Sequence, residues 1–303
     1  MGITSQRTDI ISTTEQSSLN AISKFEDAVI FGVSFPHISV VNDRAEELSK
    51  QYGFPARATV ALWDDLMEQL KFYKHLERKG LISIVLSGSD ISKRGTKILL
   101  SLEGTDCLRD PYDLYLLHDL GLRAIGLTWN YDTKFAAAAM SKKDYGLTGF
   151  GNEVVKIAND QNIIVDLAHA SRNTILDTCA TTKKPVISSH GNARTIFDHV
   201  RNLDDDSIEA IVKTGGVVGI TAIKSTLSKD PSIDDLVKHM EYVGDNFGWD
   251  HVALGTDFLG VDETPKGFEN VSKIQDLADR LGSHAVQVMW DNPLRVINKI
   301  IPP

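Results

Sequence analysis

Cysteine is scarce in this chain: Cys107 and Cys179 are the only two among 303 residues. Two thiols cannot supply a disulfide scaffold, and neither stands in a CxxC or similar zinc-ligand spacing. Both read as reduced packing residues, which fits a cytoplasmic protein. Long apolar runs are missing as well. No stretch approaches the roughly 18 residues of a membrane-spanning helix, and the opening MGITSQRTDIISTTEQ lacks the basic-then-apolar pattern of a secretory signal. A membrane partner is therefore not expected. Nor is nucleic acid, because the formal charge of -9 is spread along the chain with no basic stripe interleaved with aromatics. No GxGxxG or GxxxxGK[ST] loop stands at any strand-to-helix turn, which argues against an open doubly wound nucleotide-binding sheet.

What is present is a repeating alternation. Hydrophobic residues make up 42% of the sequence, enough for one large α/β core, and no low-complexity linker divides it, so residues 1–303 read as a single domain. Apolar runs of strand length occur at 27–35, 97–103, 122–128, 162–168, 185–189, 216–221 and 251–257. Between them lie segments with a 3.6-residue period. In 60–79, Leu62, Leu66, Leu70, Tyr73 and Leu76 form one stripe, closed by Gly80. Ser171 is placed to cap TILDTCA, the acids of 204–206 to open SIEAIVKT, and Pro231 to precede SIDDLVKHMEYV. The terminal HAVQVMWDNPLRVINKI reads as a helix broken near Pro293 and then resumed. Seven strand–helix units predict a TIM-type (β/α)8 barrel with a first strand that is missing or atypical. The eighth strand is open to two readings. One is ISIVLSG at 82–88, which more naturally forms a hairpin with 97–102; the other is a short strand near Asp9–Ser12.

The ends of these runs carry the chemistry. ILLSLEG stops at Glu103, NIIVDLAH at His169 and PVISSH at His190, while HVALGTDF delivers Asp257. Carboxylates and imidazoles have little reason to finish an apolar strand unless something there pairs with them. Four such endings point to parallel strands converging at the face where barrel enzymes keep their chemistry. Glu103, His169 and His190 offer one oxygen and two nitrogen ligands, a set suited to Zn2+ with a position left for water. A metal so held lowers the pKa of its water and polarises a carbonyl. Asp257 is a candidate for a second ion or for the base that serves the attacking water. Beyond the His190 strand, Arg194 and Arg201 are candidates to clamp a substrate carboxylate, and surface solvation is an equal reading for each. Asp166 is expected behind the ligands or against a helix. His37, His75, His118, His199, His239, His251 and His284 have no comparable setting and read as ordinary histidines.

With these residues in place, the chain resembles the membrane (renal) dipeptidase family of zinc peptidases. The matching elements run in order: SLEG at 101–104, LRAIGLTWN at 122–130, GLTGFGNEVV at 146–155, IIVDLAHAS at 163–171 and PVISSHGNAR at 185–194. They continue with RN at 201–202, GGVVGI at 215–220, VALGTDFLG at 252–260, GFENVSK at 267–273 and DNPLRV at 291–296. The resemblance implies a TIM barrel with a paired zinc centre that hydrolyses dipeptides, including those ending in a D-residue. It makes Glu103 the carboxylate bridging both ions, His169 and His190 the further ligands of one of them, and Asp257 the aspartate at the other ion that handles protons. Arg201 becomes the residue that binds the substrate carboxylate, and Trp129 and Asn130 fall on the substrate side. Mammalian members are secreted, lipid-anchored and dimeric, so a homodimer is an expectation, whereas no signal or anchor pattern is seen here.

Two departures bear on function. Family members carry an HxD pair on the first strand, and no HxD occurs near this N-terminus. A second ion would then depend on Glu103 and Asp257 alone. The other departure is Trp129, which stands where the renal enzyme has a substrate-contacting histidine. The expected activity is metal-dependent cleavage of a dipeptide amide. The alternatives are a catalytically impaired or non-enzymatic barrel with an incomplete two-ion site, or another amidohydrolase such as a lactonase or deaminase.

Overall fold

The computed structural model describes Gly2, Ile3, Ser12 and residues 16–37 and 61–303. Among these residues nine strands form one sheet: β1 (Gly2–Ile3), β2 (Asp27–Ser34), β3 (Ser83–Ile84), β4 (Gly95–Glu103), β5 (Leu122–Gly126), β6 (Ile164–Asp166), β7 (Ile187–Gly191), β8 (Val217–Ile220) and β9 (Val252–Leu254). Eight of them follow the order β1-β2-β4-β5-β6-β7-β8-β9, and β3 pairs with β4 off this path. Every pairing is parallel. The seven apolar runs of the sequence are thus found as β2 and β4–β9, with ends displaced by a few residues.

The eighth strand of the path comes from the N-terminal end of the described residues. Gly2–Ile3 takes the place beside β2, with Gly2 opposite Val33; Asp9–Ile11 lie outside the described residues. The hairpin expected for 82–88 and 97–102 is a parallel pair instead. Its cause is local. Asp90 accepts from the backbone N–H of Leu86 and Ser87 and winds Gly88–Ser92 into a tight 3-10 turn. The chain is thereby returned to the start of β4 rather than folded back along it. No pairing joins β9 to β1 among the described residues, so the sheet is a strongly curled, open half-barrel rather than the closed barrel expected.

Helices between the strands start where their caps dictate. α1 (Leu19–Ile22) is a single turn, and α2 (Leu62–Arg78) buries Leu66, Leu70, Tyr73 and Leu76, the stripe read from the sequence. After α3 (Asp113–Asp119) comes α4 (Gly149–Asp160), capped by Thr148. Ser171 accepts from Thr174 N–H to open α5 (Arg172–Thr181), and Asp204 does the same from Ser207 N–H for α6 (Asp205–Lys213). Ser232 and Asp235 form a reciprocal box at the start of α7 (Ile233–Phe247), and α8 (Ile274–Leu281) follows. The break expected at Pro293 is a widening: a π-helical turn at Gln287–Asp291 runs directly into α9 (Asn292–Ile300). Pro293 has no N–H for the carbonyl one turn back, and a wider turn accommodates its ring.

The curl creates two cores. On the convex face, residues such as Ile98, Leu100 and Leu102 of β4 pack under the helices. On the concave face, Leu99, Ala124, Ile164, Ile187, Val217 and Ala253 contribute one residue from each strand β4–β9, and Val296, Ile297 and Ile300 of α9 pack against them. A fully buried Leu or Ile here contributes about 1.5–3 kcal/mol. Strand alternation then carries Leu99, Ser101 and Glu103 up one inner face. The concave core is the floor on which the polar residues stand.

Candidate metal centre and active site

Glu103, the last residue of β4, shares the inner face with Leu99 and needs no special geometry to arrive there. The two histidines do. Along β6, alternation sends Asp166 inward and His169 outward. A left-handed residue at His169, φ 65°, turns its side chain back to the concave side. Such a backbone costs of order 1–3 kcal/mol in a residue with a Cβ, and the local hydrogen bonds hold it: Ala139 N–H donates to His169 carbonyl (2.7 Å) and Ala168 N–H to Asp166 Oδ1 (3.0 Å). His190 would face outward along β7, but the β7–β8 register shifts between Ser188 and Gly191. A bulge re-aims the side chain. Close approach also matters here: a Cβ on Gly255, the residue after β9, would lie 1.8 Å from Ser189 carbonyl, so only glycine lets the chain pass this near.

The three side chains meet. His169 Nε2 lies 3.2 Å from Glu103 Oε1, His190 Nε2 3.5 Å from it, and the two imidazole nitrogens are 2.8 Å apart. These separations approximate the edges of one tetrahedral face, about 3.4 Å for arms of about 2.1 Å. The outer ring atoms are also fixed. Asn130 Oδ1, which can only accept, takes the proton of His169 Nδ1 at 2.8 Å and leaves Nε2 with a free lone pair. His190 Nδ1 shares a 2.8 Å hydrogen bond with Ser189 Oγ. Burial, reinforced by the Arg201 charge, holds His169 well below its ordinary pKa. Burial and the neighbouring His169 bring His190 down to about 3. Both rings are therefore neutral at physiological pH, the form a metal requires. The donor set fits a zinc-like divalent cation held by Glu103, His169 and His190. Among the described residues these three form a single ligand cluster, and neither Asp257 nor any other residue extends it to a second.

Asp257 lines the same cavity of about 650 Å³. It too sits at a left-handed backbone, φ 55°, just beyond β9. Burial, followed by the Glu103 charge, pushes its carboxyl up to about 7. Asp166 stands behind the histidines, buried and accepting from Ser189 N–H at 2.8 Å, and burial raises it to about 6. It thereby ties the His169 turn to the strand of His190.

Arg201 also lines this cavity, and burial brings its guanidinium down to about 10 against the charges of Glu103, Asp257 and Asp166. That guanidinium makes no hydrogen bond or ion pair with any described residue; its backbone N–H donates to His199 Nδ1. Arg194 points elsewhere, with Nη2 donating to Val200 carbonyl at 3.1 Å. Trp129 forms a wall 6.0 Å from His169 between ring centroids, and is itself packed against His37 at 4.7 Å and Phe35 at 5.2 Å. His37, expected from the sequence to be an ordinary histidine, is buried and feels the charges of Asp106 and Glu103. Its one sequence signal was a place just past an apolar run, in VSFPH. His199 likewise lines the cavity.

The family model for membrane dipeptidase, peptidase family M19, matches residues 37–301. Two uncharacterized dipeptidases of Schizosaccharomyces pombe match at 41% identity over 53% of this chain and 40% of theirs, and at 32% identity over 66% and 50%. Dipeptidase verJ of Clonostachys rogersoniana is 34% identical over 67% of this chain and 55% of its own. The chain thus spans about half the length of these curated relatives. A metallo peptidase from Rhodobacter sphaeroides, solved with a phosphinate mimic of the dipeptide L-Ala-D-Ala, superposes with a TM-score of 0.81 at 20% identity, covering 95% of this chain and 91% of that one. The probable dipeptidase PvdM from Pseudomonas aeruginosa does so with a TM-score of 0.80 at 18% identity, covering 94% and 89%. At such identities the likeness is one of fold. No helix among the described residues is long and apolar enough to cross a membrane.

Proposed function

The chain belongs to the membrane dipeptidase family, peptidase family M19, and from that premise we propose that it is a dipeptidase-like amidohydrolase working with one metal ion, weaker than a two-ion enzyme. The carrying observation is the pairing, in one cavity, of the Glu103–His169–His190 cluster with the unpaired guanidinium of Arg201. Arg201 would take the substrate carboxylate through a two-pronged hydrogen bond, which sets the scissile amide toward the cluster. Trp129 would wall the substrate and keep water from its far side. When bound, zinc would act as the Lewis acid that polarises the scissile carbonyl and lowers the pKa of water. Asp257 would take a proton from the attacking water at its carboxylate and return it to the leaving amine. The substrate class is dipeptides, those with a C-terminal D-residue included. The cytoplasmic setting belongs to the same proposal and draws support from the free thiols of Cys107 and Cys179, whose pKa values burial raises to about 12.

A non-enzymatic role is the second reading, favoured by a cluster limited to three ligands. Zinc stoichiometry and hydrolysis of L–L, L–D and Gly–D dipeptides, measured on one preparation, decide. One ion with slow turnover is expected. Two ions with fast turnover would overturn the one-ion centre, and no ion with no turnover would leave the binding role.

A further inference from the structure

The turn that carries Asp257 is built from unfavourable pieces. Asp257 at φ 55° and Leu259 at φ 70° both take the left-handed backbone that residues with a Cβ seldom adopt. Gly260 N–H closes the turn on Asp257 carbonyl at 3.0 Å. The carboxylate is tied to the same geometry. A Cβ on Gly260 would stand 2.3 Å from Asp257 Oδ1, so the acid lies directly over the turn that it starts. If the turn shifts, the carboxylate shifts with it. Phe258 and Leu259 bury their side chains in the core, but the peptide groups of the turn must find partners elsewhere. The strand before it, β9, pairs on one edge only among the described residues.

The partner comes from the other end of the sequence. Gln16 Oε1 accepts from Leu259 N–H at 2.6 Å, and Gln16 Nε2 donates to Val261 carbonyl at 2.6 Å. One side-chain amide thus brackets Gly260, matching one N–H and one carbonyl as a neighbouring strand would. Gln16 carbonyl also accepts from Val271 N–H at 2.8 Å. Gln16 is itself buried and anchored: two residues on, Ser18 caps α1, whose Leu19 and Ile22 lie in the core. Asp257, Leu259, Gly260 and Val261 all line the main cavity, so the amide braces part of its wall. We propose that Gln16 is a positioning residue of the site: its amide holds the 257–260 turn, and with it the carboxylate that handles protons. The inference rests on the role proposed above for Asp257. Misplacing a reacting group by about 1 Å can cost about 10²-fold in rate. Arg201 and the three ligands stand on other segments, so losing the brace should slow turnover without touching substrate or zinc binding.

The test compares the full chain with Gln16→Met, which keeps the side chain's length and removes both hydrogen bonds. Amide hydrogen exchange by NMR, zinc stoichiometry and dipeptide kinetics are measured on each. Gly260 is the informative amide, because its bond lies within the turn and does not involve Gln16; faster exchange there reports the turn opening. In Gln16→Met, exchange at Leu259 and Gly260 is expected to quicken, and kcat to fall, each by about 10-fold or more. KM and the zinc content should stay as in the wild type, and amides of β4–β7 should exchange at unchanged rates, which a general loss of stability would not allow. Unchanged exchange at Gly260 would overturn the proposal, since the turn then keeps its shape unaided. So would an unchanged kcat in a variant whose Gly260 has opened. Should Gln16→Met not fold, Gln16→Glu, which keeps an acceptor for Leu259 and loses the donor to Val261, decides by the same readings. If the wild type hydrolyses no dipeptide, the peptidase reading fails, and exchange at Gly260 alone decides whether Gln16 holds the turn.

Discussion

The two sides of the concave site are built to different standards. Glu103 and His190 stand on β4 and β7 and His169 three residues beyond β6, and each of these strands is paired on both edges. Asp257 stands beyond β9, which among the described residues pairs on one edge only, facing the seam toward β1 and β2. Pairing on both edges helps hold side chains to the tolerance a metal demands. A strand paired on one edge only does not give the same support. On the proposed mechanism, holding the ion and handling protons fall to separate parts of the sheet, and they should fail separately.

The largest effect is expected from breaking the well-built side. His190→Ala removes one nitrogen from a three-residue cluster and leaves Glu103 half satisfied. Zinc affinity should fall by more than the 10–100-fold typical of losing an outer partner, and hydrolysis should drop below detection. Equilibrium dialysis with metal analysis reads this directly. Retention of a full equivalent of tightly bound zinc would refute the cluster. On the seam side, Asp257→Asn should lower turnover by about 10²–10⁴-fold while zinc still binds in full. If the variant instead loses its ion, Asp257 is a ligand, and the division between the two sides disappears. A milder cut on the strong side is Asn130→Ala. It frees His169 Nδ1 from the 2.8 Å acceptor that fixes its tautomer, and should weaken zinc by roughly 10–100-fold. Unchanged affinity would mean that the ring is held by packing against Trp129 alone.

The same contrast governs what could be read from sequence. Glu103 was legible because simple alternation on a long strand carries it to the inner face. The histidines were legible as strand endings, but not the devices that aim them: parity alone sends His169 and His190 outward, and a left-handed residue and a bulge reverse this. Neither leaves a pattern in a single chain, since His169 occupies a conformation for which glycine would be the usual signal. His37 escaped notice because its role comes from ring packing with Trp129, a contact between distant segments. The open seam was equally hidden. Gly2–Ile3 pairs over two residues, where periodicity has nothing to detect. Arg194 and Arg201 looked alike in sequence; burial and hydrogen bonding separate one facing the main cavity from one engaged behind it.

The smallest predicted effect concerns the seam without any metal. Burial and the Glu103 charge raise Asp257 from an ordinary 3.8 to about 7 in the folded chain. Between those values the folded protein keeps a proton that the unfolded chain releases, so folding stability falls as pH rises through that window. Asp257→Asn cannot ionise and escapes this loss. His190 acts in the opposite sense: with its folded pKa near 3 against an ordinary 6.5, it lowers stability as pH falls through that range. That contribution is common to both proteins and cancels in their difference to the extent that the two sites do not interact. The melting temperature of the variant minus that of the wild type, in chelator, should therefore increase from pH 4.5 to pH 8. The size should be a few degrees, since a protein of 150–250 residues shifts about 2–4 °C per kcal/mol and a longer one no more. Differential scanning calorimetry at matched ionic strength measures it. A difference independent of pH would mean that Asp257 is solvated across the seam and already ionised in the folded chain.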